Sequence, residues 1–531
     1  MAGRLSYSNP LTKPKAVPTL ATVSDDQQKV TATAFLDPHF AVGEVNPRLF
    51  GSFLEHLGRA VYSGVFEPEH PLADEDGLRT DVLELIRELG TTMVRYPGGN
   101  FVSGYKWEDG VGPVEHRPRR LDLAWRTTET NQFGLSEFMR FTAKTGLEPM
   151  MAVNLGTRGA AEAFELLEYC NHPGGAAYSD LRRTHGDEKP YGIKLWCLGN
   201  EMDGPWQIGF KTAEEYGRLA VVAAKAMRLV DPDLELVACG SSGRGMPTFG
   251  QWEATVLEHA YDAVDLISCH AYYQERDGDV DSFVASAADM EAFIDGVVAT
   301  ADYVGAKRRD PKRINISFDE WNVWYQENSP HPEPEPWSVA PRLLEDLYSV
   351  TDAVVVGSLL ITLLRRSDRV TAACLAQLVN VIAPIMTEPG GPAWRQTTFY
   401  PFADAARYGR GEVLRLAVES PTHDTAVHGT VPLLHATAVR GDDGALTVFA
   451  VNRDTTRPLE LAVDLRAFGG HGQGDLTGPV THTYLADADR HAKNTLDQQD
   501  RVTPKAGPKV APDGGVLRVE LPPLSWNTIR L

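Results

Sequence analysis

From residue 49 onward the chain alternates between two hydrophobic rhythms. Short apolar, β-prone runs are each followed by a longer stretch with apolar residues at helical spacing. The pattern predicts strands over residues 49–55, 92–96, 149–154, 193–198, 234–239, 266–271, 314–322 and 371–377. Helices are expected over 78–89, 135–144, 160–169, 213–229 and 252–261, within 283–304, and over 341–364. Gly90 stops the first helix and Pro97-Gly98-Gly99 halts the second strand. The eighth crossover falls in the weakly patterned segment 378–402. Eight βα units of this size fit a (β/α)8 TIM barrel with long loops. An open doubly wound sheet is the alternative, but no G-x-G-x-x-G follows the first strand.

Beyond about residue 407 helical periodicity fades. Short β-like runs follow at 436–439, 446–451, 459–463 and 516–521, separated by Gly-Asp and Pro turns. They predict an antiparallel β-sandwich, joined by the weakly alternating stretch 30–42. The expected organisation is a flexible tail over 1–28, a barrel over 45–404, and a sandwich built from 29–44 plus 405–531. Residues 469–478 and 506–515 are expected surface loops, and the HPEPEP run from His331 a stiff one.

Composition narrows the class. Hydrophobic residues make up 43% of 531, enough to fill a large core. No run approaches the roughly 18 apolar residues that cross a bilayer. Pro10, Pro14 and Pro18 interrupt the N-terminus, which therefore fits a tail better than a signal peptide. A net charge of −21 disfavours nucleic acid and anionic membranes as partners. Five cysteines, an odd number without any C-x-x-C, fit reduced buried thiols in a cytoplasmic protein.

The chemistry gathers at strand ends. Gly199-Asn200-Glu201 closes the fourth strand, beside an aromatic pair, Trp196 and Trp206. Asp319-Glu320-Trp321 lies near the end of the seventh. Two distant strand-end glutamates suit a reaction that needs two carboxyl groups at one bond, and glycoside hydrolysis is the commonest. The same barrel face would carry Glu55, Arg95, Asn100, Asn154, His270, Tyr272 and Gln377. Each has a plain alternative: Arg95 as a counter-ion, His270 as a core histidine, Tyr272 as a rim cap. Together they form a polar face suited to a ligand made of hydroxyl groups. No H-E-x-x-H occurs, and His56 would point away from Glu55 across an extended strand, so neither metal nor cofactor is expected.

Several stretches carry a resemblance: GSFLEHLGR at Gly51, VRYPGGNF at Val94, CLGNEMDGPWQIG at Cys197, SCHAYY at Ser268, FDEWNVWY at Phe318 and AQLVN at Ala376. The closing LPPLSWNTIRL adds to them. The chain resembles the α-L-arabinofuranosidases of glycoside hydrolase family 51, retaining barrel enzymes whose two carboxylates end the fourth and seventh strands. The likeness runs from about residue 30 to the end. It implies Glu201 as general acid/base and Glu320 as nucleophile. It implies that Glu55, Arg95, Asn100, Asn200, His270, Tyr272 and Gln377 hold the furanose and orient the carboxylates, and that Trp125 stacks on the leaving group. It also implies an intracellular homo-hexamer acting on arabinose-containing oligosaccharides from arabinan or arabinoxylan. A related xylosidase or endoglucanase, a non-catalytic sugar-binding protein and a metal-dependent hydrolase are the competing readings.

Overall fold

The computed structural model describes residues 30–326, 332–469 and 480–531. The expected tail over 1–28, His331, and residues 470–478 of an expected loop lie outside them. Eight parallel strands close a barrel: β1 (Gly51–Phe53), β2 (Met93–Tyr96), β3 (Glu148–Ala152), β4 (Leu195–Leu198), β5 (Glu235–Ala238), β6 (Leu266–Tyr273), β7 (Asn315–Val323) and β8 (Val370–Leu375). Each pairs with its sequence neighbour, and β8 closes on β1 through Cys374 opposite Gly51. Strands covered on both faces can be apolar throughout, and Leu195-Trp196-Cys197-Leu198 is buried at every position.

The helices follow their amphipathic patterns closely. Thr80–Leu89 buries Val82, Leu83, Leu85, Ile86 and Leu89, and Gly90 ends it in the left-handed conformation. Three segments differ from the pattern. Residues 47–50 form a 3-10 turn capped by Asn46, so β1 is shorter than its apolar run. The helix expected over 341–364 begins only at Val350. Upstream, Glu345 is drawn to Arg59 and Asp346 to the Tyr325 amide, while Ser349 and Asp352 cap each other to set the helix start. The eighth crossover holds a hairpin, Ile385–Thr387 with Ala393–Arg395, and the helix Phe399–Tyr408. Two helices escaped the pattern: Ala177–Thr184, whose apolar content is low, and the short Val280–Val284.

Apart from three two-stranded hairpins, the remaining strands form one nine-stranded sheet. Its order is Lys505–Ala506, Thr481–Leu485, Ser525–Arg530, Leu446–Asn452, Leu434–Arg440, Glu412–Glu419, Val30–Glu44, Leu459–Asp464, Val516–Leu521. Leu461 and Val519 near one edge share a core with Val448 and Ile529 near the other, so the sheet folds over itself as a sandwich. Register breaks around Ala41 bend the Val30–Glu44 strand along the way. All five cysteines are buried and free. Among the described residues no helix is long and apolar enough to cross a membrane.

The helix Val350–Arg365 joins the two parts. Every residue from Val350 to Leu364 is buried, because the barrel covers one side and the sheet the other. In Leu446–Asn452, Val448 and Ala450 face the sandwich core while Phe449 and Val451 join the barrel core. Trp526 stacks on Phe449 at 5.4 Å and lies flat against Gly357 of the helix. A Cβ on Gly357 would sit 2.4 Å from the Trp526 ring. Gly357→Ala is therefore expected to lower unfolding stability by ~1–3 kcal/mol, although alanine is the better helix former. Chemical denaturation checks this; a variant as stable as the parent would show that the helix and sheet can part without cost.

Candidate active site

The C-terminal ends of the barrel strands converge on an open cleft of about 1290 Å³. Arg95 comes from β2, Glu201 from the turn after β4, His270 and Tyr272 from β6, Asp319 and Glu320 from β7. Glu55 follows β1, and Gln377 follows β8. Trp125, Trp206 and Trp324 give the cleft aromatic walls, a surface that suits the C–H faces of a sugar.

Arg95, 1% exposed, is the hub. Its Nη1 donates to Glu320 Oε1 at 2.7 Å and its Nη2 to Asn200 Oδ1 at 2.8 Å. Its Nε lies 3.7 Å from Asp319 Oδ2, and its plane rests over the Phe53 ring. Tyr272 Oη donates to the other Glu320 oxygen at 2.8 Å. A Cβ on Gly99 would meet Glu320 Oε1 at 3.0 Å and one on Gly98 would meet Glu55 Cγ at 2.7 Å, which explains the Gly-Gly pair after β2.

Glu201 sits at the turn with φ +43°, a left-handed conformation unusual for a side chain other than glycine. Trp206 Nε1 donates to its Oε2 at 2.6 Å and His270 Nδ1 lies 2.9 Å from its Oε1. The opposite nitrogen of His270 is 3.1 Å from Asp319 Oδ1. Burial works against a charged His270, but Glu320, Asp319 and Glu201 outweigh it and push the imidazole up to about 10. Burial likewise opposes an ionised Asp319, yet Arg95 and His270 hold it below the usual carboxylate range. For Glu320 burial dominates and raises the carboxyl, with Glu201 adding to the rise while His270 and Arg95 oppose it.

Oxygens of Glu201 and Glu320 lie within 4.8 Å of each other, with His270 Nδ1 inside the same distance. Retaining glycosidases hold their carboxyl groups about 5–5.5 Å apart and inverting ones about 6.5–9.5 Å. Nearest oxygens within 4.8 Å fall below the inverting range, in keeping with the first. Glu201, His270 and Glu320 are also the described residues whose ligand atoms converge enough to hold a metal ion, but Arg95, 2.7 Å from Glu320, opposes a dication there.

Glu55 forms the far wall. Its Oε1 accepts from the Phe101 amide at 2.9 Å and from Trp125 Nε1 at 3.0 Å, and its Oε2 from Gln377 Nε2 at 3.2 Å. Gln377 Oε1 in turn accepts from the Glu55 amide. Burial, with Glu320 nearby, pushes the Glu55 carboxyl up to about 8.

Ten residues expected at the site meet in this one cleft or its wall: Glu55, Arg95, Asn100, Trp125, Asn200, Glu201, His270, Tyr272, Glu320 and Gln377. Asn154 does not; its side chain builds the turn after β3 by bonding Gly156, Thr157 and Tyr105. His56 points away as alternation requires, to Glu129 and Tyr96. Of the aromatic pair, Trp206 reaches Glu201, but Trp196 is buried in the barrel wall. The residue that strand reasoning overlooked is Asp319. Strict alternation would turn it away from a face that Glu320 occupies. Register shifts on both sides of β7, between Ser317 and Glu320 and between Phe318 and Trp321, let both acids serve the same cluster. The adjacent acids in an otherwise apolar strand were the available signal.

Residues 85–293 match the family model described as the α-L-arabinofuranosidase 1 domain, and residues 319–525 match that of the α-L-arabinofuranosidase C-terminal domain. The chain is 66% identical over 503 residues to an intracellular exo-α-(1→5)-L-arabinofuranosidase of Streptomyces lividans, covering 94% of this chain and 75% of that one. It is 55% identical over 508 residues to an exo-α-(1→6)-L-arabinofuranosidase of Bifidobacterium longum, covering 93% and 96%. A solved family 51 α-L-arabinofuranosidase from Bifidobacterium longum superposes with a TM-score of 0.90 at 48% identity, over 95% of this chain and all of that one.

The Glu55 environment has a thermodynamic consequence. Below about pH 4.5 its carboxyl is protonated whether the chain is folded or not. Between there and about 8 the unfolded chain releases the proton and the folded one keeps it, so stability falls as pH rises through that window. Glu55→Gln removes this contribution. The melting-temperature gap between the parent and Glu55→Gln is expected to narrow from pH 5 to pH 8; a constant gap would mean that Glu55 is already ionised at neutral pH.

Proposed function

This chain belongs to the family 51 α-L-arabinofuranosidases, and from that we propose that Glu201 is its general acid/base and Glu320 its nucleophile. The enzyme is a retaining, exo-acting glycoside hydrolase that removes terminal non-reducing α-L-arabinofuranosyl groups. The observation that carries the assignment of roles is the unequal company of two carboxyl groups within 4.8 Å. Glu320 faces Arg95 and the Tyr272 hydroxyl, donors that favour an ionised nucleophile. Glu201 borders the open side of the cleft under Trp206, where a leaving group departs.

In the first step Glu320 attacks the anomeric carbon while Glu201 protonates the glycosidic oxygen. The aglycone leaves, and Glu320 is esterified and loses its charge. Glu201, now a carboxylate, takes a proton from water as that water attacks the same carbon. The Glu320 ester bond breaks and the configuration is retained. In this reading Glu55, Asn100, Asn200 and Gln377 bond furanose hydroxyls, and Trp125 stacks on the leaving group. Arg95, His270 and Tyr272 orient the two carboxyls.

We further propose α-1,5-linked arabino-oligosaccharides as substrates, an intracellular setting and a hexamer. The name and 66% identity of the Streptomyces relative support the first two. The α-1,6 enzyme at 55% identity marks the alternative linkage. Family resemblance supports the third.

Glu320→Ala is expected to cut hydrolysis of an aryl α-L-arabinofuranoside by about 10⁴-fold or more. Glu201→Ala should still form the glycosyl-enzyme from that activated substrate but release it slowly. Azide should restore turnover and yield the arabinofuranosyl azide of α configuration; no rescue, or a β product, would remove Glu201 from the role. A panel of α-1,2-, α-1,3-, α-1,5- and α-1,6-linked arabino-oligosaccharides tests the linkage. The α-1,5 compounds are expected to turn over fastest.

A further inference from the structure

A second cavity, of about 700 Å³, adjoins the catalytic cleft. Three segments serve both. Asn100 lines the cleft and Phe101 the cavity; Ala124 and Trp125 line the cleft while Leu121 and Leu123 line the cavity; Trp206 lines the cleft and Ile208 the cavity. No residue lines both, so these segments form the rim between cleft and cavity, and a chain leaving the cleft would cross it beside Trp125 and Trp206.

Its lining is mixed. Leu121 and Leu123 are 59% and 58% exposed, on a hairpin formed by Arg120–Asp122 and Thr127–Glu129. Trp206 and Phe210, 52% and 55% exposed, flank Ile208 and continue the apolar strip. Among these apolar surfaces sit directional polar groups of both signs: Lys106, Asp109, Arg120, Asp122 and Glu129. Asn131 is the telling member. It is 1% exposed, its Nδ2 is fixed on the Pro118 carbonyl at 2.7 Å, and its Oδ1 has no partner. A buried carbonyl oxygen left without a donor is unfavourable, so a ligand hydroxyl reaching it through a small shift of the lining would be well received. With Arg120 bonded to Asp109 and Glu129 to His56, little unpaired charge of either sign is left in the lining, which disfavours an anion or a cation as the occupant. Apolar ledges interleaved with fixed donors and acceptors match a neutral chain rich in hydroxyls.

We propose that this cavity is a distal sugar subsite, holding arabinofuranosyl units of the leaving chain beyond the one nearest Trp125 and Trp206. The proposal deepens the arabinofuranosidase reading and rests on it. Substrate reaching from cleft to cavity gains contacts that a short substrate lacks, so preference should grow with chain length.

The test compares kcat/KM on an aryl arabinofuranoside, α-1,5-arabinobiose and α-1,5-arabinopentaose, for the parent and for Leu121→Ser/Leu123→Ser. The replaced side chains are exposed, and the aryl substrate, which is too short to leave the cleft, reports on folding. The parent is expected to favour the pentaose over the biose by about fivefold or more. In the double variant the pentaose should fall toward the biose, mainly through KM, with aryl hydrolysis within about twofold of the parent. Calorimetry of the pentaose with Glu320→Ala, with and without the two leucine changes, should show weaker binding in the combined variant. Equal parent rates on biose and pentaose, or a loss shared equally by all three substrates, would overturn the subsite alone. A parent inactive on the aryl arabinofuranoside would overturn the parent reading and the subsite with it.

Discussion

A single guanidinium, sealed from solvent, sets the terms of this active site. Arg95 projects from β2 toward Glu320 on β7 and Asn200 at the end of β4, and it lies near Asp319. A cation held dry would be unfavourable alone, as would the carboxylates around it. Each makes the other tolerable. The consequence is positional: β2, β4 and β7, which are not neighbours across the barrel mouth, are fastened by one rigid fork.

The charges around that fork are arranged unequally. Arg95 and His270 supply positive charge, against Asp319, Glu320 and Glu201. Asp319 acts at one remove. It keeps the far nitrogen of His270 engaged, which directs the near nitrogen toward Glu201. Glu55 is treated differently again, since burial without a cation of its own raises it to about 8. One barrel face thus holds carboxyl groups with distinct proton affinities, a separation that acid–base chemistry on adjacent groups requires.

Much of this was legible in the chain. Barrel strands are buried on both faces, so β4 and its neighbours stand out as uninterrupted apolar runs, and a polar residue where such a run stops is conspicuous. Glu201, Glu320, Glu55 and Gln377 were found that way. What stayed hidden depends on departures from regular geometry or on long-range partners. The bulge in β7 that recruits Asp319 leaves no trace in hydrophobic alternation. The residues before Val350 are kept out of the helix by Glu345 meeting Arg59, 286 positions away, ahead of the Ser349–Asp352 cap. The polar helix Ala177–Thr184 is held by Arg182, whose guanidinium bonds carbonyls of Tyr169, His172 and Asp187. No local pattern encodes those partners.

The buried helix Val350–Arg365 has a bearing on modularity. It belongs by sequence to the barrel, yet much of its surface is hidden by the C-terminal strands. A barrel cut free after Tyr408 would present a row of valines and leucines to water, an invitation to aggregate. The sandwich is accordingly no detachable appendage that could be shuffled onto another enzyme or trimmed to make a smaller one. Domain exchange within this architecture has to carry the strands and the helix together.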